Sequence, residues 1–317
     1  MTYKSVAQKS RKALVLGAAG FIGRHVCREL SLQGFFVKGL GHGNPSAEEI
    51  YSFGISEWLQ ADITLEQIRL ACLNNVPDVI IHCGGSGSVA YSFSNPADDF
   101  NRSVNSTLAV LEYAREQSSP PGVVLLSSAA VYGDGGNNEL SESSLMNPLS
   151  PYGYHKQASE ILGESYHHFF GLKVAIIRLF SVYGDGLRKQ LLWDAMNKYR
   201  KGVNSFLGTG EETRDWIHVT DAARLICLAA NSHDDSFAIF NGGHIKASTQ
   251  KILSLLAKIS GSDLSPIFTG EVHPGNPRSL IADTSSASRE LSFFPKVDLE
   301  KGLQQYVDWF NAREVDL

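Results

Sequence analysis

Six short apolar runs, separated by longer amphipathic segments, limit what this chain can fold into. They are "KALVLG", "FFVKGL", "EWLQAD", "DVIIHC", "GVVLLSS" and "KVAIIRLF". Most are apolar nearly throughout, as strands buried on both faces are. Between them, "FIGRHVCRELSLQG", "LEQIRLACLNN", "DDFNRSVNSTLAVLEYAREQ" and "YGYHKQASEILGESYHHFFG" carry helical patterns. This alternation predicts an α/β fold: a doubly wound parallel sheet with helices on both faces. After about Phe180 the rhythm breaks into loops, single helices and one short strand, "FAIFNGG". That predicts a smaller, discontinuous C-terminal lobe at the sheet's C-terminal edge. The expected boundaries are residues 11–180 plus about 213–245 for the sheet domain. The lobe takes about 181–212 plus 246–317.

The length of 317 residues is ample for a packed core, and 43% hydrophobic with 19% charged residues is ordinary for a soluble protein. A net charge of −5 without a Lys/Arg run argues against nucleic acid or a membrane as partner. No apolar stretch approaches the roughly 20 residues that span a bilayer. The polar start "MTYKSVAQKSRK" lacks a signal-type apolar core and reads as a short leader. Cys27, Cys72, Cys83 and Cys227 sit in apolar segments without CxxC spacing. They read as buried free thiols of a cytoplasmic protein. His167 and His168 are adjacent and diverge on a helix, so no metal site is expected.

"LVLGAAGFIGRHV" places Gly17, Gly20 and Gly23 three apart, where the first strand gives way to a helix. Gly17 permits a tight turn, Gly20 lets backbone approach a pyrophosphate, and Gly23 lets the helix pack on the sheet. The helix N-terminus offers free N–H groups and a positive dipole end. The loop predicts dinucleotide binding. An acidic residue usually ends the second strand of an NAD site. Here Gly41 stands at that position, followed by His42, while Arg24 follows Gly23. Either cation can face a 2′-phosphate, so NADP(H) is the expected cofactor, with NAD(H) as the alternative. Asp62 in "QADIT" is placed to bond the adenine amino group, or else to cap a helix.

"LLSSAAVYGDGG" and "SPYGYHKQASE" point to proton transfer. Ser150 and Pro151 suit the N-cap and first turn of a helix. On it Tyr152 and Lys156 are i, i+4 and share one face, whereas Tyr154 points elsewhere. A phenol with a pKa of about 10 is a poor base at neutral pH. A nearby ammonium is expected to lower that value.

"GAAGFIG", "LLSSAAVYGD", "SPYGYHKQASE", "RLFSVYGDG" and "RDWIHVTDAARL" occur in order at the expected intervals. Together they resemble the extended short-chain dehydrogenase/reductases: the nucleotide-sugar epimerases, dehydratases and ketoreductases. The resemblance runs from about residue 12 to the end. It implies a Rossmann domain, a substrate lobe, a nucleotide diphosphate sugar as substrate, and a homodimer built on two helices per subunit. It implies Ser128, Tyr152 and Lys156 as catalytic residues, with Ser127 the weaker candidate for the hydroxyl. Tyr152 would exchange a proton with a sugar oxygen, which Ser128 also bonds. Lys156 would bond the nicotinamide ribose. Phe21, Ile22, Ile63, Cys83 and Gly84 complete the implied cofactor contacts. Ser88, Ser181, Arg188, Arg214 and Arg278 are the implied substrate contacts, Arg214 and Arg278 at diphosphate-binding positions. Lys189 is grouped with Arg188. Two positions depart from the pattern: Ser181 and Ser103 stand where the family has Asn.

The 4,6-dehydratases carry Asp and Glu where this chain has Ala129 and Ala130, and the fucose-synthase-like enzymes want a Cys in this segment. Both are disfavoured. The expected activity is reduction of a nucleotide-linked 4-keto-6-deoxysugar by NADPH. The alternative is a C4 epimerase with tightly bound NAD. A non-catalytic dinucleotide-binding regulator would not need Ser128, Tyr152 and Lys156.

Overall fold

In the computed structural model the described residues are 10–73, 75–232, 237–271 and 275–312. Of the expected leader, over residues 1–12, residues 1–9 lie outside them, while Lys12 opens the first strand. Seven strands form the main sheet: β1 (Lys12–Leu16), β2 (Phe36–Gly41), β3 (Glu57–Gln60), β4 (Val79–His82), β5 (Gly122–Ser128), β6 (Val174–Leu179) and β7 (Phe237–Gly242). Their order is β7-β6-β5-β4-β1-β2-β3, and every pairing is parallel. The direction of winding reverses between β1 and β4, which opens a crevice at the strands' carboxyl ends.

The six expected runs supply β1 to β6. "FAIFNGG" supplies β7, which extends the main sheet beside β6. Helices cover both faces because the strands are apolar on both. On one face α1 (Phe21–Leu32) packs with the helix Val219–Asn231 through Val26, Cys27, Ala223 and Cys227. On the other, Leu65–Cys72, α2 (Ser106–Arg115) and α3 (Pro151–Phe170) close over Leu14, Ile80 and Ile176.

A second sheet joins Ile245–Ser248, Thr213–His218, Ser279–Ala282 and Glu139–Leu140 in that order, with Ser181–Tyr183 also paired to Thr213–His218. A separate apolar cluster, including Met196, Leu253, Leu256 and Tyr306, packs this part of the chain. Among the described residues no helix is long and apolar enough to cross a membrane.

Candidate active site

The glycine loop links β1 to α1. Gly17 has φ +76°, and a Cβ there would lie 2.8 Å from the Gly84 nitrogen. A Cβ on Gly23 would lie 2.1 Å from the Gly17 carbonyl oxygen. Only glycine lets the loop approach β4 and the helix approach the loop. Gly20 caps α1 without a side-chain hydrogen bond, leaving the first helical N–H groups unclaimed by any side chain there. A cavity of about 850 Å³ is lined by Gly17, Gly41, His42, Asp62 and Ile63. A second, of about 1020 Å³, is lined by Phe21, Ile22, Gly23, Ser128, Tyr152 and Lys156. The two share Gly20, Cys83, Gly84 and Gly85.

Tyr152 and Lys156 ride on α3. The Ser150 hydroxyl accepts from the Gly153 N–H at 3.2 Å, and Pro151 opens the first turn. Lys156 is buried, donates to the Leu126 carbonyl at 2.8 Å, and lies 5.9 Å from the Tyr152 ring centre. Ser128, at the end of β5, hydrogen-bonds Tyr152 and accepts from the Ala130 N–H at 3.2 Å. Its neighbour Ser127 bonds Glu160. Glu160 in turn pairs with buried Arg178 at 2.7 Å. Both serines line the larger cavity, but their hydroxyls part: Ser128 bonds Tyr152, while Ser127 is taken by the Glu160–Arg178 ion pair.

Burial dominates the electrostatics. It pushes the Lys156 ammonium down to about 8, opposed by Asp99 and Glu160. The Tyr152 phenol is raised, not lowered as the sequence led us to expect. Burial outweighs the Ser128 hydrogen bond, and Asp99 raises the phenol further. Burial also pushes the Cys83 thiol up to about 12, so its place between the cavities does not make it a nucleophile.

The cations expected to read a 2′-phosphate are otherwise engaged. Arg24 lines neither cavity. Its guanidinium donates to the Gly20 and Ala19 carbonyls at 3.2 and 3.1 Å and lies over Phe53. His42 reaches the adenosine-side cavity but meets Asp62 at 3.0 Å. Asp62 caps no helix, since Thr64 caps Leu65–Cys72.

The expected substrate residues divide. Ser181 and Arg214 line the larger cavity, while Arg188, Arg278 and Ser88 do not. Arg214 is turned onto a neighbouring loop, donating to Asn276 Oδ1 at 2.5 Å and the Pro277 carbonyl at 2.6 Å. Arg278 is 83% exposed and pairs with Asp134 at 3.1 Å. Ser88 caps the helix Val89–Ser94. Lys189 lines the cavity, and its Nζ would lie 3.4 Å from a Cβ on Gly87. Gln190 donates to the Gly87 carbonyl at 2.9 Å, tying this segment to the loop after β4. In that loop the sequence pointed to Gly84 and Ser88 but not to Gly87, which lies between them in the "GGSGS" run. The sequence reading also passed over Asp99 and His155, which meet at 2.5 Å behind Tyr152 and Lys156. His155 could have been found at i+3 from Tyr152. Among the described residues no three His, Cys, Asp or Glu side chains gather as a metal site.

The family model described as "NAD dependent epimerase/dehydratase family" matches residues 13–243. The chain is 30% identical to an uncharacterized UDP-glucose epimerase of Bacillus subtilis, over 95% of this chain and 98% of that protein. It superposes on the UDP-glucose 4-epimerase of Thermotoga maritima, solved with UDP-glucose, with a TM-score of 0.87 and 26% identity, covering 96% and 99% of the two chains. It also superposes on the UDP-glucuronic acid 4-epimerase of Bacillus cereus, solved with UDP-glucuronic acid and NAD. There the TM-score is 0.85, with 29% identity and coverage of 95% and 99%.

Proposed function

Because the chain belongs to the NAD dependent epimerase/dehydratase family, we propose that it is a nucleotide-sugar C4 epimerase working with tightly held NAD. One observation carries the reading. Ser128, Tyr152 and Lys156 line a cavity large enough for a nucleotide sugar, and it shares four residues with a second, dinucleotide-sized cavity. The loop fits a dinucleotide, since Cβ atoms at Gly17 and Gly23 would fill the cradle and α1 presents uncapped N–H groups.

NAD replaces NADP in this reading. The smaller cavity has no uncommitted arginine, because Arg24 turns away and Arg102 pairs with Asp98 at 2.5 Å. The Asp62 carboxylate stands beside His42, where a 2′-phosphate would meet negative charge. The reductase expectation rested on those cations and gives way with them. The Bacillus cereus relative, with NAD in its structure, supports the same choice.

NAD, when bound, supplies a hydride acceptor that returns the hydride. The chain's own residues handle the proton. In its phenolate form Tyr152 Oη takes it from the sugar 4-hydroxyl and then, as the phenol, gives it back to the C4 oxygen after the ring has turned over. Ser128 bonds that oxygen, and Lys156 keeps a positive charge beside the phenol. Arg214 and Lys189 are the cations for the diphosphate. The substrate class is a UDP-hexose or UDP-hexuronate, following the ligands of the Thermotoga and Bacillus cereus structures. The lobe at about 181–212 plus 246–317 holds it, supported by its separate apolar cluster. A homodimer across α2 and α3 is part of the proposal, supported by exposed Leu108, Tyr154 and Ile161 on those helices, as is a cytoplasmic location.

The test is to incubate the purified protein with UDP-glucose or UDP-glucuronate and no added cofactor. Proton NMR of the anomeric signals should report the 4-epimer. No epimer from either, with NADPH consumed on a nucleotide-linked 4-ketosugar, would return the assignment to a reductase.

A further inference from the structure

The face of α3 that carries Tyr152 and Lys156 continues through His155 and Ser159, at i, i+3, i+4 and i+7. Against it lies the chain from Pro96 to Arg115, where a π-helical turn, Asn101–Asn105, interrupts regular helix. Such turns recur at functional sites. From this segment Asp99 Oδ2 meets His155 Nδ1 at 2.5 Å. One turn later the Ser103 carbonyl accepts from Ser159 Oγ at 3.4 Å. Lys156 lies on the face between these two contacts.

Asp99 is fully buried, and its Oδ1 makes no hydrogen bond among the described residues. A buried carboxylate left so is costly unless an opposite charge stands near. Glu160, the other carboxylate bearing on Lys156, is already held by Arg178. Among the described residues the Asp99 side chain hydrogen-bonds only His155. Lys156 has one carbonyl partner, Leu126, for its three donors.

We propose that Asp99, clamped by His155, is a positioning residue whose charge keeps the buried Lys156 ammonium protonated and in place beside Tyr152. The role given to Lys156 rests on the epimerase reading, but its titration does not. The ionisable groups facing Lys156 are Asp99 from the Pro96–Phe100 helix, Glu160 and Tyr152 from α3 itself, and His82 and Cys83 from the end of β4. Of these, Asp99 most strongly opposes the effect of burial.

Asp99→Asn keeps the shape and removes the charge. Lysine labelled with ¹³C at Cε, assigned with Lys156→Arg, reads the Lys156 midpoint by NMR. The midpoint should fall by about one unit in Asp99→Asn. The ammonium fraction at pH 8, and kcat with it, then drops roughly fivefold, and far less at pH 6.5. At pH 6.5, where Lys156 stays mostly protonated in both proteins, KM for the nucleotide sugar and the Kd for NAD stay unchanged. An unmoved midpoint overturns the proposal, as does a loss of kcat that is independent of pH. Failure of the epimerase reading shows separately, as no turnover by the unaltered protein, and the NMR midpoint still decides the role of Asp99. If Asp99→Asn does not fold, Asp99→Ser is read in the same two ways.

Discussion

Replacing Gly23 by alanine tests whether the glycine loop is a cofactor cradle or merely a turn. The added Cβ would lie 2.1 Å from the Gly17 carbonyl oxygen and 2.9 Å from Ala18 Cα, both backbone atoms. Ordinary contact begins at 3.4 Å, so α1 and the loop must separate by more than 1 Å at their junction. Backbone N–H groups aimed at a diphosphate do not tolerate such a displacement. A hydrogen bond to a charged group contributes about 1.5–3 kcal/mol. Loss of one or two should weaken NAD by roughly tenfold to about 10⁴-fold. Calorimetric titration of apo protein with NAD measures this, with circular dichroism to show that the fold survives. Gly34→Ala is the control. Gly34 has positive φ, +83°, but a Cβ there meets nothing within 4 Å. It should cost stability through backbone strain and leave NAD affinity alone. A folded Gly23→Ala protein that binds NAD within threefold of the unaltered chain would refute the cradle.

Three further outcomes follow from the site. Tyr152→Phe should retain the fold and NAD but lose kcat by roughly 10²–10⁴-fold, the usual worth of a positioned acid/base; near-normal turnover in the anomeric NMR assay would remove Tyr152 from its role. Gly41→Asp places a carboxylate at the end of β2, where a Cβ has only ordinary contacts, 3.5 Å to Gly17 Cα and to Trp58. It should tighten NAD and weaken NADP; paired titrations that leave the ratio unmoved would place the adenosine ribose elsewhere. His82 is pushed down to about 3 by burial, from 6.5. The unfolded chain then binds a proton below pH 6.5 that the folded chain does not, so stability falls as pH drops from 6.5 towards 3. In His82→Gln, Tm should fall less steeply over that window, and parallel Tm profiles would show that His82 does not contribute.

What was legible in the sequence was what local pattern encodes. β1 to β6 could be read because each is a short apolar run bounded by turns, and α3 because Ser150, Pro151 and the Tyr152–Lys156 spacing act within one segment. The strand "FAIFNGG" was visible, but its place beside β6 is a pairing across some 60 residues that no local signal carries. The charges were the least legible. Arg24 and His42 stood at the right chain positions for a 2′-phosphate, yet a cation's availability depends on which acceptors fold against it. The Ala19 and Gly20 carbonyls take one, and Asp62, from the neighbouring strand's end, takes the other. The same reasoning explains Tyr152. Spacing alone put an ammonium beside a phenol and implied a lowered pKa. Folding also buried both groups and brought Asp99 against them, which reverses the direction. A Tyr/Lys pair at i, i+4 therefore identifies the proton-transfer face. How readily its proton moves depends first on burial, then on the Ser128 hydrogen bond and on Asp99, a residue on another helix.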